Sequence, residues 1–260
     1  KKGEILSKSV ILATGGKSYP QTGSTGDGYR IAKLLGHTII KPVPVLCGIN
    51  LKEDWIKQWQ GIALKNVSVK VMLDKEILAE EFGEAIFTHF GISGPAVLDL
   101  SRYLAGIKNY GGIKISIDFK PAVDVKTLER RLVSEFKANA NKTLKNIMKN
   151  LLPVHIIEEF LLMGGLSGEI KGNQITVSQR NILLSLLKNF HLTFDSLRSF
   201  DEAIATRGGV MVKQVNPKTM ESRIVPGLFF AGEILDVDGK TGGFNLQAAF
   251  STGFVAGINA

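Results

Sequence analysis

Two periodicities dominate the middle of the chain. Val67, Val69, Val71 and Leu73 alternate with Ser68, Lys70 and Met72, and Ile113, Ile115, Ile117 and Phe119 alternate with Lys114, Ser116 and Asp118. A period of two is that of half-buried antiparallel strands, so this stretch predicts a small sheet or barrel. From Val125 the apolar positions recur at three and four: Leu128, Leu132, Phe136; Leu144, Ile147, Met148, Leu151; Ile156, Ile157, Phe160, Leu161; and Ile182, Leu183, Leu186, Leu187. That spacing predicts four helices between Val125 and Asn189, separated near Pro153, Gly164-Gly165 and Gly172-Asn173. Ser93-Gly94-Pro95 opens another helix through Leu104, with proline at a permitted first-turn position.

The two ends read differently. Ser9 to Gly16, SVILATGG, is an apolar strand ending in a glycine pair, where missing side chains let a backbone or ligand approach closely. Tyr29, Ile31, Ala32, Leu34 and Leu35 form a short helical pattern that Asp27 can cap and Gly36 ends. Pro42 and Pro44 then break regular structure and mark a domain exit. A strand near Ala203 to Thr206 brings the chain back, and Gly208-Gly209 begins the return. Leu228-Phe229-Phe230-Ala231 is wholly apolar and followed by Gly232-Glu233, as in a strand buried on both faces whose carboxyl end opens into a ligand crevice. After a loop with Asp236 and Asp238, Gly242-Gly243 lead into a helix over Asn245 to Ala256. Backbone N–H groups and the positive helix end at Gly243 to Leu246 suit a pyrophosphate or a reduced flavin ring.

Composition narrows the classes. The chain has 260 residues, 44% hydrophobic and 22% charged, ordinary values for a globular protein with room for two domains. No apolar run reaches the ~18 residues of a membrane span, and no signal pattern opens the chain. The single Cys47 excludes an internal disulfide, which suits a reducing cytoplasm, and its apolar surroundings Val43 to Ile49 mark a buried thiol. The net charge of +8 is uneven: from Lys120 to Asn150, eight basic residues face Asp124, Glu129 and Glu135, a local +5. Such a segment reads as a solvated helical face or as an attraction for phosphate backbones. The one aromatic side chain among these lysines, Phe136, falls in the apolar helical pattern, so base stacking is not indicated.

Three blocks carry a resemblance: ATGGKSYPQTGSTGDGYRIAKLLGH (Ala13 to His37), GEAIFTHFGISGPAVLDLS (Gly83 to Ser101) and GGVMVKQVNPKTMESRIVPGLFFAGEILDVDGKTGGFNLQAAFSTG (Gly208 to Gly253). They closely resemble the BaiN/RdsA-like (YhiN-like) NAD(P)/FAD-dependent oxidoreductases over nearly the whole chain. The resemblance implies an α/β fold, α+β overall: a glutathione-reductase-like FAD-binding domain interrupted by a small β-barrel and a helical cap. On this chain that places a partial FAD-binding domain at 1–43 and 208–260 and an insert at 44–207. Within the insert the barrel covers about 44–121 with a return strand at about 203–207, and the helical part about 122–200. Family members begin with a strand, a G-x-G-x-x-G turn and a helix that hold the FAD pyrophosphate. This chain begins Lys1-Lys2-Gly3-Glu4, and its only similar string, Gly23 to Gly28, has reversed spacing after a polar loop. The expectation is therefore a piece of a longer flavoprotein.

The family's site residues carry over by position. Thr14, Gly15 and Gly16 would pack closely against FAD, or else form a tight turn after the strand. Glu233, after Gly232, would accept a hydrogen bond from a ribityl or ribose hydroxyl. Gly242, Gly243, Phe244, Asn245, Leu246 and Gln247 would lie along the flavin pyrimidine and the pyrophosphate, or simply cap the helix. Asp236 and Asp238 would border flavin or substrate, or form turns. His89, between Thr88 and Phe90, is the acid–base candidate, with a packing role as the alternative. The remaining histidines His37, His155 and His191 show no metal-ligand spacing, so no metal is expected, and no G-x-S-x-G elbow supports hydrolysis. The resemblance implies a cytoplasmic FAD-dependent enzyme that takes electrons from NAD(P)H and reduces an activated C=C bond. The family includes members assigned to ring-alkene reduction of steroid-like compounds and to dihydrouridine formation in ribosomal RNA. The basic segment Lys120 to Asn150 tilts the expectation toward ribosomal RNA over a small ring enone. The alternative is a redox-inactive RNA- or protein-binding module.

Overall fold

The structure, a computed structural model, describes residues 3–107 and 110–260. In chain order the elements are β1 (Val10–Leu12), α1 (Asp27–Leu34), β2 (Ile39–Val45), β3 (Ile49–Leu51), β4 (Ala63–Leu73), β5 (Glu76–Thr88), β6 (Gly91–Ser93) and α2 (Pro95–Leu104). They continue with β7 (Ile113–Asp118), α3 (Val125–Ala138), α4 (Leu144–Met148), α5 (Ile157–Met163), α6 (Val177–Lys188), β8 (Phe190–Leu197), β9 (Ala205–Val210), β10 (Leu228–Phe230) and α7 (Phe244–Asn259). Contacts divide the chain into two compact units: Lys1–Gly48, Leu104–Gly106 and Leu197–Ala260 form the first, and Ile49–Tyr103 and Ile107–Ser196 the second. Among the described residues no helix is long and apolar enough to cross a membrane.

The second unit is built on a closed six-stranded barrel in the order β3-β6-β5-β4-β7-β8. Its long hairpin, β4 with β5, and the β4–β7 pair are antiparallel. The alternating valines of β4 and isoleucines of β7 are buried, as their period requires. On β7, however, Ser116 and Asp118 are buried as well. The expected half-exposed strand is covered because α6 packs on its outer side, where Phe119 N–H donates to Leu187 O at 2.9 Å and Lys188 Nζ lies 2.6 Å from Asp118 Oδ2. Four helices, α3 to α6, occupy the span where four were expected. Asp124 caps α3 through Thr127 N–H at 2.7 Å, and Thr176 with Gln179 forms a reciprocal cap on α6.

Two expectations about the insert change. The barrel is closed by β8, inside the range read as helical; Phe190, Leu192 and Phe194 point inward at a period of two, which the longer α6 pattern just before them hides. The stretch 203–207, expected to return to the barrel, runs instead into β9, which pairs with β2 in the first unit, Ala205 opposite Val45 and Arg207 opposite Val43. Pro42 and Pro44 do not break β2. The sheet has only two strands, so β2 has an unpaired edge, and its register shifts between Ile40 and Val43, where a missing N–H is tolerated.

In the first unit β1 pairs with β10 in parallel, Ile11 opposite Phe229. Its core gathers Tyr29 and Ala32 of α1, Val210 of β9, Leu228 and Phe230 of β10, and Ile234 and Leu235 beyond it. Helix α1 starts at Gly26 in the left-handed region, φ 87°, with Asp27 inside the first turn rather than at the cap. All three residues of β10 are buried, whereas Val10 and Ile11 of β1 are 50% and 39% exposed.

Candidate functional site

The carboxyl end of β10 leads into Gly232, at φ 78°, and a single 3-10 turn, Gly232–Ile234, that carries Glu233. Burial holds the Glu233 carboxyl above the usual carboxylate range, partly opposed by its hydrogen bonds with Thr206. One of these is from the Thr206 backbone N–H to Glu233 Oε1. The Thr206 hydroxyl in turn accepts from the backbone N–H groups of Lys17 at 2.9 Å and Ser18 at 3.1 Å, and lies 3.0 Å from Ser18 Oγ. Thr206 therefore ties three segments together: β9, the loop after β1, and the turn after β10. A methyl group on Gly16 would sit 2.6 Å from Thr206 Oγ1 and 3.0 Å from Glu233 Cδ. Close packing against these two side chains is a sufficient reason for Gly16. Thr14 packs toward Gly28 of α1, and Gly15, at φ 75°, faces Ser24.

The second wall is the start of α7. Gly242 and Gly243 take φ values of 107° and 91°, a left-handed pair that turns the chain into the helix. A side chain at Gly243 would meet nothing within 4 Å, so its backbone is open to close approach. The first-turn N–H groups of a helix have no intrahelical acceptor, and here no side chain caps them. Between this helix start and Glu233 lies a cavity of about 250 Å³ lined by Ile204, Ala205, Gly232, Glu233, Asn245, Leu246 and Thr252 among others. Of the residues singled out from the sequence, the structure brings Gly232, Glu233, Asn245 and Leu246 together on its walls. Thr14, Gly15, Gly16, Gly242, Gly243, Phe244 and Gln247 are not among them.

Hydrogen bonds refine several roles. The Asn245 amide clamps Gly239, accepting its N–H at 2.8 Å and donating to its carbonyl at 3.1 Å. Gln247 Nε2 donates to Ser251 Oγ at 3.0 Å on the exposed side of α7. Asp236 Oδ1 accepts the Gly208 N–H at 3.1 Å, and Asp238 holds the Arg207 guanidinium in two contacts, Nε at 2.8 Å and Nη2 at 3.0 Å. Both carboxylates thus pin the loop after β10 to β9. His89 belongs to the second unit, exposed in the β5–β6 turn with its ring edge-on to Phe90 at 5.1 Å. Among the described residues no group of three His, Cys, Asp or Glu side chains is gathered for a metal ion.

The sequence reading passed over Thr206, Thr252 and Tyr29. Thr252 Oγ1 accepts the Gly232 N–H at 2.9 Å, fixing the glycine turn to the middle of α7. Tyr29 donates to the Glu233 carbonyl at 3.3 Å, and burial, with the Glu233 and Asp236 carboxylates, pushes its hydroxyl far above the usual tyrosine range. A hydroxyl residue two positions before the glycine pair at 208–209 was the one visible signal for Thr206. Its importance comes from partners 188 and 189 positions away.

Comparison with known proteins agrees with the resemblance. The model of the HI0933-like protein Rossmann domain family matches residues 1–259. A 3-dehydro-bile acid delta(4,6)-reductase of Clostridium scindens is 32% identical over 249 residues, 95% of this chain and 61% of that protein. Ribosomal RNA dihydrouridine synthases are 33% identical in Haemophilus influenzae, over 97% of this chain and 60% of the relative, and 31% identical in Escherichia coli, over 94% and 58%. The chain spans about three-fifths of the length of these relatives. With a family model matching residues 1–259 and the motif blocks in place, the chain belongs to the HI0933-like Rossmann-domain family, whose relatives named above are a reductase and two dihydrouridine synthases.

Proposed function

We propose that this polypeptide supplies one wall of the flavin site of an FAD-dependent oxidoreductase that draws electrons from NAD(P)H and reduces an activated C=C bond. The observation that carries the reading is the convergence on one cavity of the Gly232-Glu233 turn and the uncapped, glycine-led start of α7. The backbone at Gly243 to Leu246 would face a pyrophosphate or the flavin pyrimidine, where N–H groups and the helix dipole favour anionic oxygen. Thr206 N–H orients the Glu233 carboxylate, whose other oxygen is the acceptor assigned to a sugar hydroxyl. When bound, the flavin supplies the two-electron chemistry. The chain's part is to position it and to keep water from its apolar side.

The finer fold reading is a glutathione-reductase-like FAD domain of which the first unit is one portion. Its support is the single paired neighbour of β1 and the apolar side chains left outside: Ile5 and Leu6 before β1, and Phe250, Phe254 and Ile258 along α7, each more than half exposed. The substrate is either uridine in ribosomal RNA or a small ring enone, matching the names of the two kinds of relative. A cytoplasmic location fits the single buried Cys47.

A second reading, a redox-inactive RNA- or protein-binding module, is favoured by the size of the cavity. At about 250 Å³ it falls below the ~300–1,000 Å³ that ordinary cofactor and ligand sites offer. FAD titration followed by flavin fluorescence separates the two. Saturable binding that Gly243→Val weakens at least tenfold supports the flavin wall. A colourless protein that ignores FAD both alone and within the longer polypeptide of its relatives overturns it.

A further inference from the structure

The second unit has a cleft that the redox reading does not use. It lies where β4, the residues after β7 and the end of α4 meet, encloses about 360 Å³, and is lined by Lys65, Phe119, Lys120, Lys149, Asn150 and Pro153 among others. Three lysines from three separate elements line it, and none of its lining residues is an aspartate or glutamate. The nearest acid in sequence, Asp118, is already paired with Lys188 at 2.6 Å and accepts the Lys120 backbone N–H at 2.8 Å. Glu135 Oε2 accepts a hydrogen bond from Nδ2 of Asn150, a lining residue, at 2.9 Å.

We propose that this cleft binds the phosphodiester backbone of RNA, with Lys65, Lys120 and Lys149 as the phosphate contacts. Three lysines lining a concavity with no acid among its lining residues offer the positive charge and N–H donors that suit phosphate oxygens, with no base-specific readout. Lys120 is the least comfortable of the three, since burial and then the nearby Arg131 guanidinium hold its ammonium pKa below the usual lysine range. An entering anion favours the charged ammonium and so opposes both effects. A polymer suits the site better than a small anion because positive charge continues beyond it along α3, through the exposed Lys126, Arg130 and Arg131. The inference extends the ribosomal RNA arm of the proposed function and rests on that reading only for the identity of the polymer. RNA binding is measured without flavin, so failure here and failure of the redox reading are separate results.

The test is fluorescence anisotropy with a fluorescein-labelled single-stranded RNA of twenty nucleotides, at stepped KCl concentrations. The variant K65A/K120A/K149A is compared with the charge-matched control K33A/K57A/K75A, whose lysines are exposed and lie outside the cleft. Loss of three phosphate contacts should flatten the slope of log K against log[KCl] by about 2 and weaken binding at least tenfold near physiological salt, while the control keeps the parent slope. K65R/K120R/K149R keeps the charge and should bind like the parent, which separates loss of contacts from loss of fold. Equal losses in the cleft variant and the control, or parent-like binding by the cleft variant, would overturn the proposal.

Discussion

The two units treat their apolar residues in opposite ways. In the second, β8 closes the barrel, and Phe190 lies at the centre of an aromatic cluster: stacked on Trp59 at 5.6 Å and on Phe160 at 5.7 Å, and edge-on to Phe119 at 5.5 Å. In the first, two separate two-stranded sheets carry a small core, and α7 buries only Ala256 while Phe244, Leu246, Phe250, Phe254 and Ile258 remain more than 60% exposed. A closed barrel pairs every strand with two neighbours and needs no further polypeptide. A parallel pair such as β1–β10 ordinarily lies inside a larger sheet covered on both faces. The contrast teaches that the second unit is organised by its own packing, whereas the first presents surfaces whose chemistry is that of an interior.

The sharpest way to probe this contrast is to cut a core ring in the closed unit. Phe190→Ala removes a fully buried ring that meets four others, Trp55 among them at 6.4 Å, and should cost about 3–5 kcal/mol in urea unfolding followed by near-ultraviolet circular dichroism. A loss below about 1 kcal/mol would mean that the barrel core is not the stability centre.

A smaller effect is expected at the node of the open unit. Thr206→Val leaves the N–H groups of Lys17 and Ser18 without their acceptor and should cost about 1–3 kcal/mol. It should also increase hydrogen exchange at residues 15–18. Unchanged exchange there would show that the loop after β1 is held by something other than Thr206.

The pH response should be smaller still. His37 is 3% exposed, its Nε2 is 2.9 Å from Ser222 Oγ and its ring meets the edge of Phe230 at 4.7 Å; burial lowers its pKa. The unfolded chain therefore takes up the proton first, so the stability linked to His37 is fully present above the unfolded value of about 6.5 and is lost as pH falls below it. His191 in the second unit is shifted the same way by burial and by Lys114. The melting temperature should fall between pH 7.5 and 5.5, and His37→Gln should remove part of that fall; an undiminished fall in the variant would show that His37 is not a source of the response.

The smallest effect on stability belongs to α7. Phe254→Ser, at a position 69% exposed, should change unfolding by no more than about 0.5 kcal/mol while reducing self-association in light scattering. A loss of several kcal/mol would show that this face is packed in solution, and would break the comparison of the two units.

Much of this was legible along the chain. The four helices α3 to α6 and the strands β4 and β7 follow from apolar spacing, because each side chain's face is set by its own neighbours in sequence. The β10 run and the Gly242-Gly243 turn were visible for the same reason: an unbroken apolar stretch and a left-handed pair are local requirements. Strand β8 was not legible, since its alternation of Phe190, Leu192 and Phe194 begins one residue after a twelve-residue helix and blends into its pattern. Asp236 and Asp238 read equally well as site acids or turn formers. Only the bonds to Gly208 and Arg207 show what they do in the fold.

The sequence by itself determined most of the element types, the position of the glycine-led turns, the uneven charge and the family. Tertiary structure alone decided which strand β9 joins, which residue holds Glu233, and that Lys65, Lys120 and Lys149 share one cleft. The division has a physical cause. Helical and strand periodicity is set within a few residues, whereas a ladder partner, a buried acceptor or a cluster of charges is chosen from groups that lie tens to hundreds of residues apart and meet only when the chain is packed.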